Sequence, residues 1–249
     1  MTTPSTPSAP QKSSRGMEDL LRASRMIRKV KEKVRHDPRE TIENKVRRWQ
    51  ELKTPELPPE ILEVDTQRDW SPVFEQEKAM LIEILGEVTG VGDVEHIGST
   101  SIPGLAGKPI VDLLIAIEAP ILAPEKIDAL SRAGYGFYGK SPCDPEASWL
   151  WKIEDGKAFV AHLCELENPW IQTAVNFRDY MRTHPGDCAA YEQHKKELAD
   201  DRRLNPFEYS MEKLILWYEI SARADAWAAA TRCPGRGPGR GPGPGGDEA

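Results

Sequence analysis

Residues 94–112 read VEHIGSTSIPGLAGKPIVD. Val94–Ile97 predicts a short strand, broken at Gly98. Pro109–Ile117 is almost continuously apolar, as a strand buried on both faces should be. Between them lies a Gly/Ser/Pro loop. A Gly98-Ser99-Thr100 turn at the end of a strand exposes backbone N–H groups, unhindered by a Cβ at Gly98, and adds two hydroxyls. Such a turn can hold phosphate oxygens. Asp112 follows Ser99 after twelve intervening residues and falls on the buried strand. A carboxylate there is costly unless it binds a metal, pairs with a cation or reaches a cleft. Lys108, just ahead of that strand, is placed to reach the same phosphate as a point charge. A chain leaving the strand at Ile97 returns within a few residues, so Gly98, Ser99 and Asp112 are expected to form one site.

Outward from this stretch the pattern is mixed. Ser71-Pro72 predicts a capped helix start, with Phe74, Leu81, Ile84, Leu85 and Val88 on its core face and Gly86 and Gly90 at its decay. Pro124–Ala133 predicts a helix stopped by Gly134. Tyr135–Tyr138, Trp149–Ile153 and Lys157–Leu166 predict strands, the last two joined at an Asp155-Gly156 hairpin. Asn168-Pro169 caps a helix running towards His184, and further helices follow over about 185–202 and 206–230. A helix, strands with an interspersed helix, then a helical block is an α+β order.

The flanks differ in kind. Residues 1–16 are Pro/Ser/Thr-rich and are expected to be disordered, as is the Gly/Pro/Arg tail 233–249. Residues 17–60 are expected to form a basic amphipathic helical arm ending in a Pro-rich linker, and 61–232 the folded body, able to fold from about residue 60 without its ends. The chain has 249 residues and a net charge of −7, but Lys12–Lys53 holds 14 basic and 7 acidic residues. A basic arm thus precedes an acidic body. The overall sign disfavours a general nucleic-acid binder, while the arm either docks on the body or meets a polyanion such as RNA or an anionic membrane surface. No stretch approaches the roughly 18 apolar residues of a membrane span. Cys143, Cys164, Cys188 and Cys233 form no paired framework, so reduced thiols and a cytoplasmic location are expected, with an organelle-targeting start as the alternative.

The 95–112 segment closely resembles the signature of the GrpB family. Two further segments fit that pattern: Phe177–Pro185 with Tyr191 and Lys195, and the last helix with Tyr209 and Lys213. The resemblance spans roughly residues 66–230 and excludes the arm and the tail. It implies an α+β, nucleotidyltransferase-like mixed sheet with flanking helices and a C-terminal helical block. Active members of that superfamily hold a nucleotide triphosphate on the Gly-Ser and divalent metal on two or three carboxylates. Gly98 and Ser99, with Thr100, match the loop, and Asp112 matches the first carboxylate, which would be the catalytic residue and would hold Mg2+ or Mn2+. The second carboxylate belongs two residues on, on the same strand face. That position is Leu114, which puts polymerase-like chemistry in doubt.

The resemblance also implies a His-x-His on the later strand, where this chain has His162 and Cys164. With His96 and Asp112 these would make a transition-metal site if their strands are neighbours. The plainer reading is a polar cleft wall, with His162 hydrogen-bonded and Cys164 packed as a small hydrophobe. Arg178 and Lys213 match family positions and are expected to close over an anionic ligand. Arg182 and Lys195 are expected on solvated helix faces, and Tyr180, Tyr191 and Tyr209 in the core. Two functions stay open: metal-dependent nucleotidyl transfer, or binding of a nucleotide or other phosphorylated small molecule by a module that lost transfer chemistry.

Overall fold

The computed structural model describes residues 40–41, 44–45, 47–48, 51, 55–58, 61, 68–86, 94–118, 122–141, 143–200 and 206–231, with side chains of the last stretch from Glu212 onward. The expected ends 1–16 and 233–249, the arm helix Met17–Arg35, Val88 and Gly90 lie outside the described residues.

Helix α1, Ser71–Leu85, carries Pro72 in its first turn and buries Phe74, Glu77, Leu81 and Leu85, a stripe at helical spacing. Its start differs from expectation. Ser71 is already helical, Trp70 occupies the cap position, and the exposed Asp69 carboxylate accepts the Ser71 N–H at 2.9 Å. That backbone bond holds the Asp69 carboxyl below its usual range. Gly86 ends the helix at φ +78, where a side chain would be strained.

Five strands follow with one helix among them: β1 Glu95–Ile97, β2 Ile110–Ile117, α2 Pro124–Arg132, β3 Gly136–Lys140, β4 Ser148–Glu154 and β5 Lys157–Glu165. The hairpin between β4 and β5 turns at Asp155 and Gly156, with φ +49 and +69. Positive φ at both central residues is what a tight two-residue hairpin demands, and Asp-Gly supplies it at low cost. Three helices complete the chain: α3 Pro169–Thr183, α4 Pro185–Asp200 and α5 Pro206–Thr231. Asn168 caps α3 as expected, its side-chain oxygen accepting the Trp170 N–H at 2.9 Å.

The strands form one mixed sheet in the order β1-β2-β5-β4-β3. Only β2 and β5 are parallel, which makes β2 a central strand and explains its near-continuous apolar sequence. The register sorts every side chain to a face. Ile97 pairs with Asp112, and Asp112, Leu114 and Ala116 pair with Val160, His162 and Cys164. These share one face. His96 pairs with Leu113 and belongs to the other.

That second face packs against α1 in a core including Phe74, Leu81, Val111, Leu113, Ile115, Phe159 and Leu163. Beside it Lys152 meets both carboxylate oxygens of Glu77 at 3.0 and 3.2 Å, and the Tyr135 hydroxyl donates to Glu77 at 2.8 Å. Burial and the Glu77 charge push the Tyr135 hydroxyl pKa well up.

The first face is covered in parts. Trp170 and Ala174 of α3 pack on Ile97, Leu114 and Cys164. Further out, α3 and α5 bury Phe177, Tyr180, Met181 and Ile220 together with Tyr191 of α4. Leu57 and the fully buried Ile61 cover Trp149, Trp151 and Val160. Ahead of them the buried Lys45 donates to the Tyr218 hydroxyl at 2.7 Å, and Arg48, paired with Glu40 at 2.7 Å, donates to the Ser141 carbonyl. Where described, residues 40–61 therefore lie on the body.

Candidate functional site

Gly98 leaves β1 with φ +72 and ψ −171, a region essentially closed to residues with a Cβ. A Cβ built there would lie 2.2 Å from Asp112 Oδ2 and 2.9 Å from its Cγ. The register explains the contact, since Asp112 pairs with Ile97, the residue before Gly98. The carboxylate thus rests directly on the Gly98 backbone, and the side chain stays 28% exposed. Gly98, Ser99 and Asp112 come together.

His162 reaches Asp112 from β5, its Nε2 3.4 Å from Oδ1, while its Nδ1 lies 3.1 Å from Ser141 Oγ. Ser141 Oγ also accepts the Cys143 N–H at 3.2 Å, so His162 bridges Ser141 and Asp112 through its two ring nitrogens. Trp149 and Trp170 wall the imidazole, their ring centroids 6.5 and 5.2 Å away. Ser141 had no distinguishing sequence signal, because a loop serine gains this role only once β4 and β5 are paired. Cys143 beside it is no nucleophile. Burial, reinforced by the Asp112 charge, pushes its thiol up to about 11.

The residues of the loop divide their work. Thr100 Oγ1 donates to the Ile110 carbonyl at 2.9 Å and meets His96 Nε2 at 3.0 Å, so this hydroxyl ties the loop to the sheet. Ser101 Oγ donates to the Gly98 carbonyl at 2.7 Å. Ser99 Oγ faces Lys195 of α4, whose Nζ donates to it at 3.2 Å and also to the Ala106 carbonyl. Gly107 is needed for that packing, since a Cβ there would sit 3.1 Å from the Ser99 Cβ.

Lys195 corrects the expectation of a solvated helix face. It is 8% exposed. Burial, then the charge of Lys213, lowers its pKa to about 8 against the opposing influence of Glu192. Lys108 is likewise lowered by burial and by Lys213. The charge of Lys213 thus acts both on Lys108 of the loop and on Lys195, which bonds the loop at Ser99. The signal for Lys195 in the sequence was its fit, with Tyr191, to the family pattern; Tyr191 is buried on the same helix.

Arg182 is also no free surface cation, since its Nε and Nη2 donate to the Ser101 carbonyl at 3.0 and 2.7 Å. Arg178 does not aim at a ligand. Its guanidinium is engaged by Glu95 at 2.5 Å, Asp179 at 2.8 Å and the His96 carbonyl at 3.2 Å, which fixes α3 to β1.

The four-residue metal set is not assembled. His96 sits on the opposite sheet face, stacked on Phe74 with centroids 4.5 Å apart, and burial lowers its pKa to about 4. Cys164 packs among Ile97, Leu114 and Trp170 as a small hydrophobe. Among the described residues no group of three His, Cys, Asp or Glu side chains is placed to hold a metal ion. Leu114, where a second carboxylate would stand, is 1% exposed and belongs to the same apolar cluster.

Comparison with known proteins shows the family. The family model described as GrpB protein matches residues 60–223. The chain is 31% identical to the glutamate-rich protein GrpB of Alkalihalophilus pseudofirmus over 160 residues, covering 62% of this chain and 90% of that protein. It is 32% identical to a UPF0157 protein of Streptomyces coelicolor over 171 residues, or 68% and 88% of the two chains. The crystal structure of the conserved protein GrpB from Enterococcus faecalis superposes with a TM-score of 0.55 at 32% identity, covering 66% of this chain and 99% of that one. The mixed five-stranded sheet with its helices is consistent with a nucleotidyltransferase-like fold. Arg48 and Leu57, which meet Ser141 and the β4 tryptophans, precede the matched region. From residue 60 onward, the chain belongs to the GrpB family.

Proposed function

We propose that the chain binds a nucleotide or other phosphorylated small molecule in the cleft between the Gly98–Ser99 loop and Asp112. The observation that carries this reading is the loop itself, with the Asp112 carboxylate resting on Gly98 and the Lys195 ammonium donating to Ser99. The charge of Lys213 acts on both Lys108 and Lys195, and neighbouring cations gain from an anion between them. Ser99 contributes its hydroxyl, and Gly98 lets the ligand approach the backbone without a side chain in the way. Arg178 and Thr100 support the loop and strand from behind.

The residues fit a single hard cation and not a pair. Mg2+ commonly takes one or two carboxylates and completes its shell with phosphate oxygens and water. Asp112 would supply that carboxylate for Mg2+ or Mn2+, with His162 orienting it through Oδ1. When bound, such an ion neutralises phosphate charge and polarises the phosphorus. The buried Leu114 supports the alternative, a module that keeps ligand binding and has lost nucleotidyl transfer.

Thermal shift of the full chain with nucleoside triphosphates, with and without Mg2+ or Mn2+, tests the reading. Asp112→Asn keeps the shape and removes the charge. It should leave the melting temperature of the free protein near that of wild type and abolish the metal-dependent shift. An Asp112→Asn chain that fails to fold would make Asp112 a structural partner of His162 and refute the site. Release of pyrophosphate on adding hydroxyl or amine acceptors then separates transferase from binding module.

A further inference from the structure

We propose that Ser99 and Lys195 form a nucleophile–base dyad that takes an acyl group from a thioester or aryl ester and passes it to water. The loop carries three consecutive hydroxyls, and they are not equivalent. Thr100 Oγ1 gives its proton to the Ile110 carbonyl, and Ser101 Oγ gives its proton to the Gly98 carbonyl. Ser99 Oγ instead meets an amine, Lys195 Nζ, at 3.2 Å. Ser99 is half-buried, whereas Lys195 is buried behind it. Nζ also donates to the Ala106 carbonyl, an oxygen that can only accept. Once Lys195 is neutral, that contact keeps one N–H and leaves the lone pair free to face the Ser99 hydroxyl. A serine within hydrogen-bond reach of a base, with the base oriented by a third group, is the arrangement that activates a nucleophile.

The surroundings make the neutral amine accessible. Burial, then the charge of Lys213 on α5, lowers Lys195 to about 8, with Lys196 of its own helix acting the same way. Glu192 and Cys188, also on α4, oppose this, but Glu192 forms its ion pair with Lys196. The Tyr191 ring, with its centroid 5.1 Å from Nζ, completes the surroundings. A base with a pKa near the working pH is the efficient one. In the step itself, Nζ takes the Ser99 proton while Oγ bonds to the carbonyl carbon. The bond from that carbon to the thiol sulfur or phenol oxygen then breaks, and the leaving atom keeps the electron pair and receives the proton from Nζ. Water attacks the resulting Ser99 ester in the same way, its proton passing through Nζ back to Oγ. The acid and the thiol or phenol are the products. A thiolate or phenolate departs with little help from an acid, which is why these esters are preferred to amides.

Hydrolysis of p-nitrophenyl acetate by the full chain, followed between pH 6.5 and 9, tests the dyad together with fluorophosphonate labelling read by intact and peptide mass. Wild type should take one label, on Ser99, and its rate should rise through pH 8 as Lys195 loses its proton. Ser99→Ala should lose the label, and Lys195→Met should slow hydrolysis by about a hundredfold or more. Should Lys195→Met fail to fold, Lys195→Arg keeps a cation against Ser99 and cannot give up its proton, so it should be equally slow. An unlabelled and inactive wild type overturns the proposal. So does a label on another residue, a rate that survives in Ser99→Ala or Lys195→Arg, or a rate without the rise through pH 8 once hydrolysis by hydroxide is subtracted. Because no phosphate ligand enters the assay, the dyad stands or falls apart from the nucleotide reading.

Discussion

Replacing Gly98 by alanine tests the centre of the site with a magnitude fixed by two independent terms. The first is backbone strain: φ +72 with ψ −171 costs a residue with a Cβ about 1–3 kcal/mol. The second is steric. The new methyl would stand 2.2 Å from Asp112 Oδ2 and 3.1 Å from its Cβ, so the carboxylate must swing away and lose His162. Together these predict roughly 2–4 kcal/mol, or about 5–15 °C in Tm for a domain of this size. Gly104→Ala is the control. Its φ is +77, but nothing lies within 4 Å of the added Cβ, so it carries strain without the clash. Thermal unfolding followed by circular dichroism should place Gly98→Ala well below Gly104→Ala. The double variant Gly98→Ala/Asp112→Ala should recover part of the difference, because the clashing carboxylate is gone. Equal melting of the two single variants, or a double variant with no recovery, would refute the placement of Asp112 on the loop.

Four more outcomes are expected. Ser99→Ala should weaken a phosphorylated ligand by about 1 kcal/mol, one hydrogen bond, read as a fivefold rise in Kd. Lys152→Met strands the buried Glu77 carboxylate and should cost about 3–5 kcal/mol in urea unfolding, largely regained in Lys152→Met/Glu77→Leu, where the one carboxylate that loses Lys152 is the solvent-exposed Glu154. His96 has a folded pKa of about 4 against 6.5 unfolded, so the unfolded chain takes up its proton first. Stability should fall as pH drops from 6.5 to 4, by about 3 kcal/mol at most, and His96→Gln should flatten that limb of the profile. A chain trimmed to residues 60–232 removes Leu57 and Arg48 from Trp149, Trp151 and Ser141, and its tryptophan emission should shift to the red. Unchanged emission would mean that the arm leaves the β4 tryptophans untouched.

What was legible in the sequence was what is decided locally. The Asp155-Gly156 hairpin followed from turn chemistry, the α3 start from Asn168-Pro169, and the central place of β2 from its unbroken apolar run. Gly98 beside Asp112 followed from the short return of the chain. Register was not legible, and it decides which face each residue takes. Ile97 opposite Asp112 sends His96 to the far side, one residue away from the set it was expected to join. Lys195 and Arg182 looked solvated because a helix face is called polar from its composition. Their burial depends on where α3 and α4 dock on a loop some 80 or more residues earlier, at Ser101 for Arg182 and at Ser99 for Lys195. The Ser71 cap failed for a smaller reason: the helix begins one residue earlier, with Ser71 already in it and its own N–H donated to the Asp69 carboxylate.

The balance of charge in the cleft bears on its chemistry more than any one residue. A two-metal centre gathers carboxylates, and its protein part is strongly negative until the cations arrive. Here one carboxylate stands at the loop, and burial together with the charge of Lys213 lowers Lys108 and Lys195. On β2 the next position on the cleft face is Leu114, and the residue paired with it on β5 is His162, whose Nε2 lies 3.4 Å from Asp112 Oδ1. A histidine there cannot replace the charge of a second carboxylate. It can only hold the first. On the proposed reading the site is built around an anion, with one cation carried in by that anion. Raising the negative charge directly tests this. Leu114→Asp places a carboxylate at the 1%-exposed position beside Trp170 and Cys164, where desolvation makes it costly. Mn2+ should rescue the folding of this variant if the cleft can hold a metal between residues 112 and 114. A variant stabilised equally by Mn2+ and by a monovalent salt of the same ionic strength would show that no such centre forms.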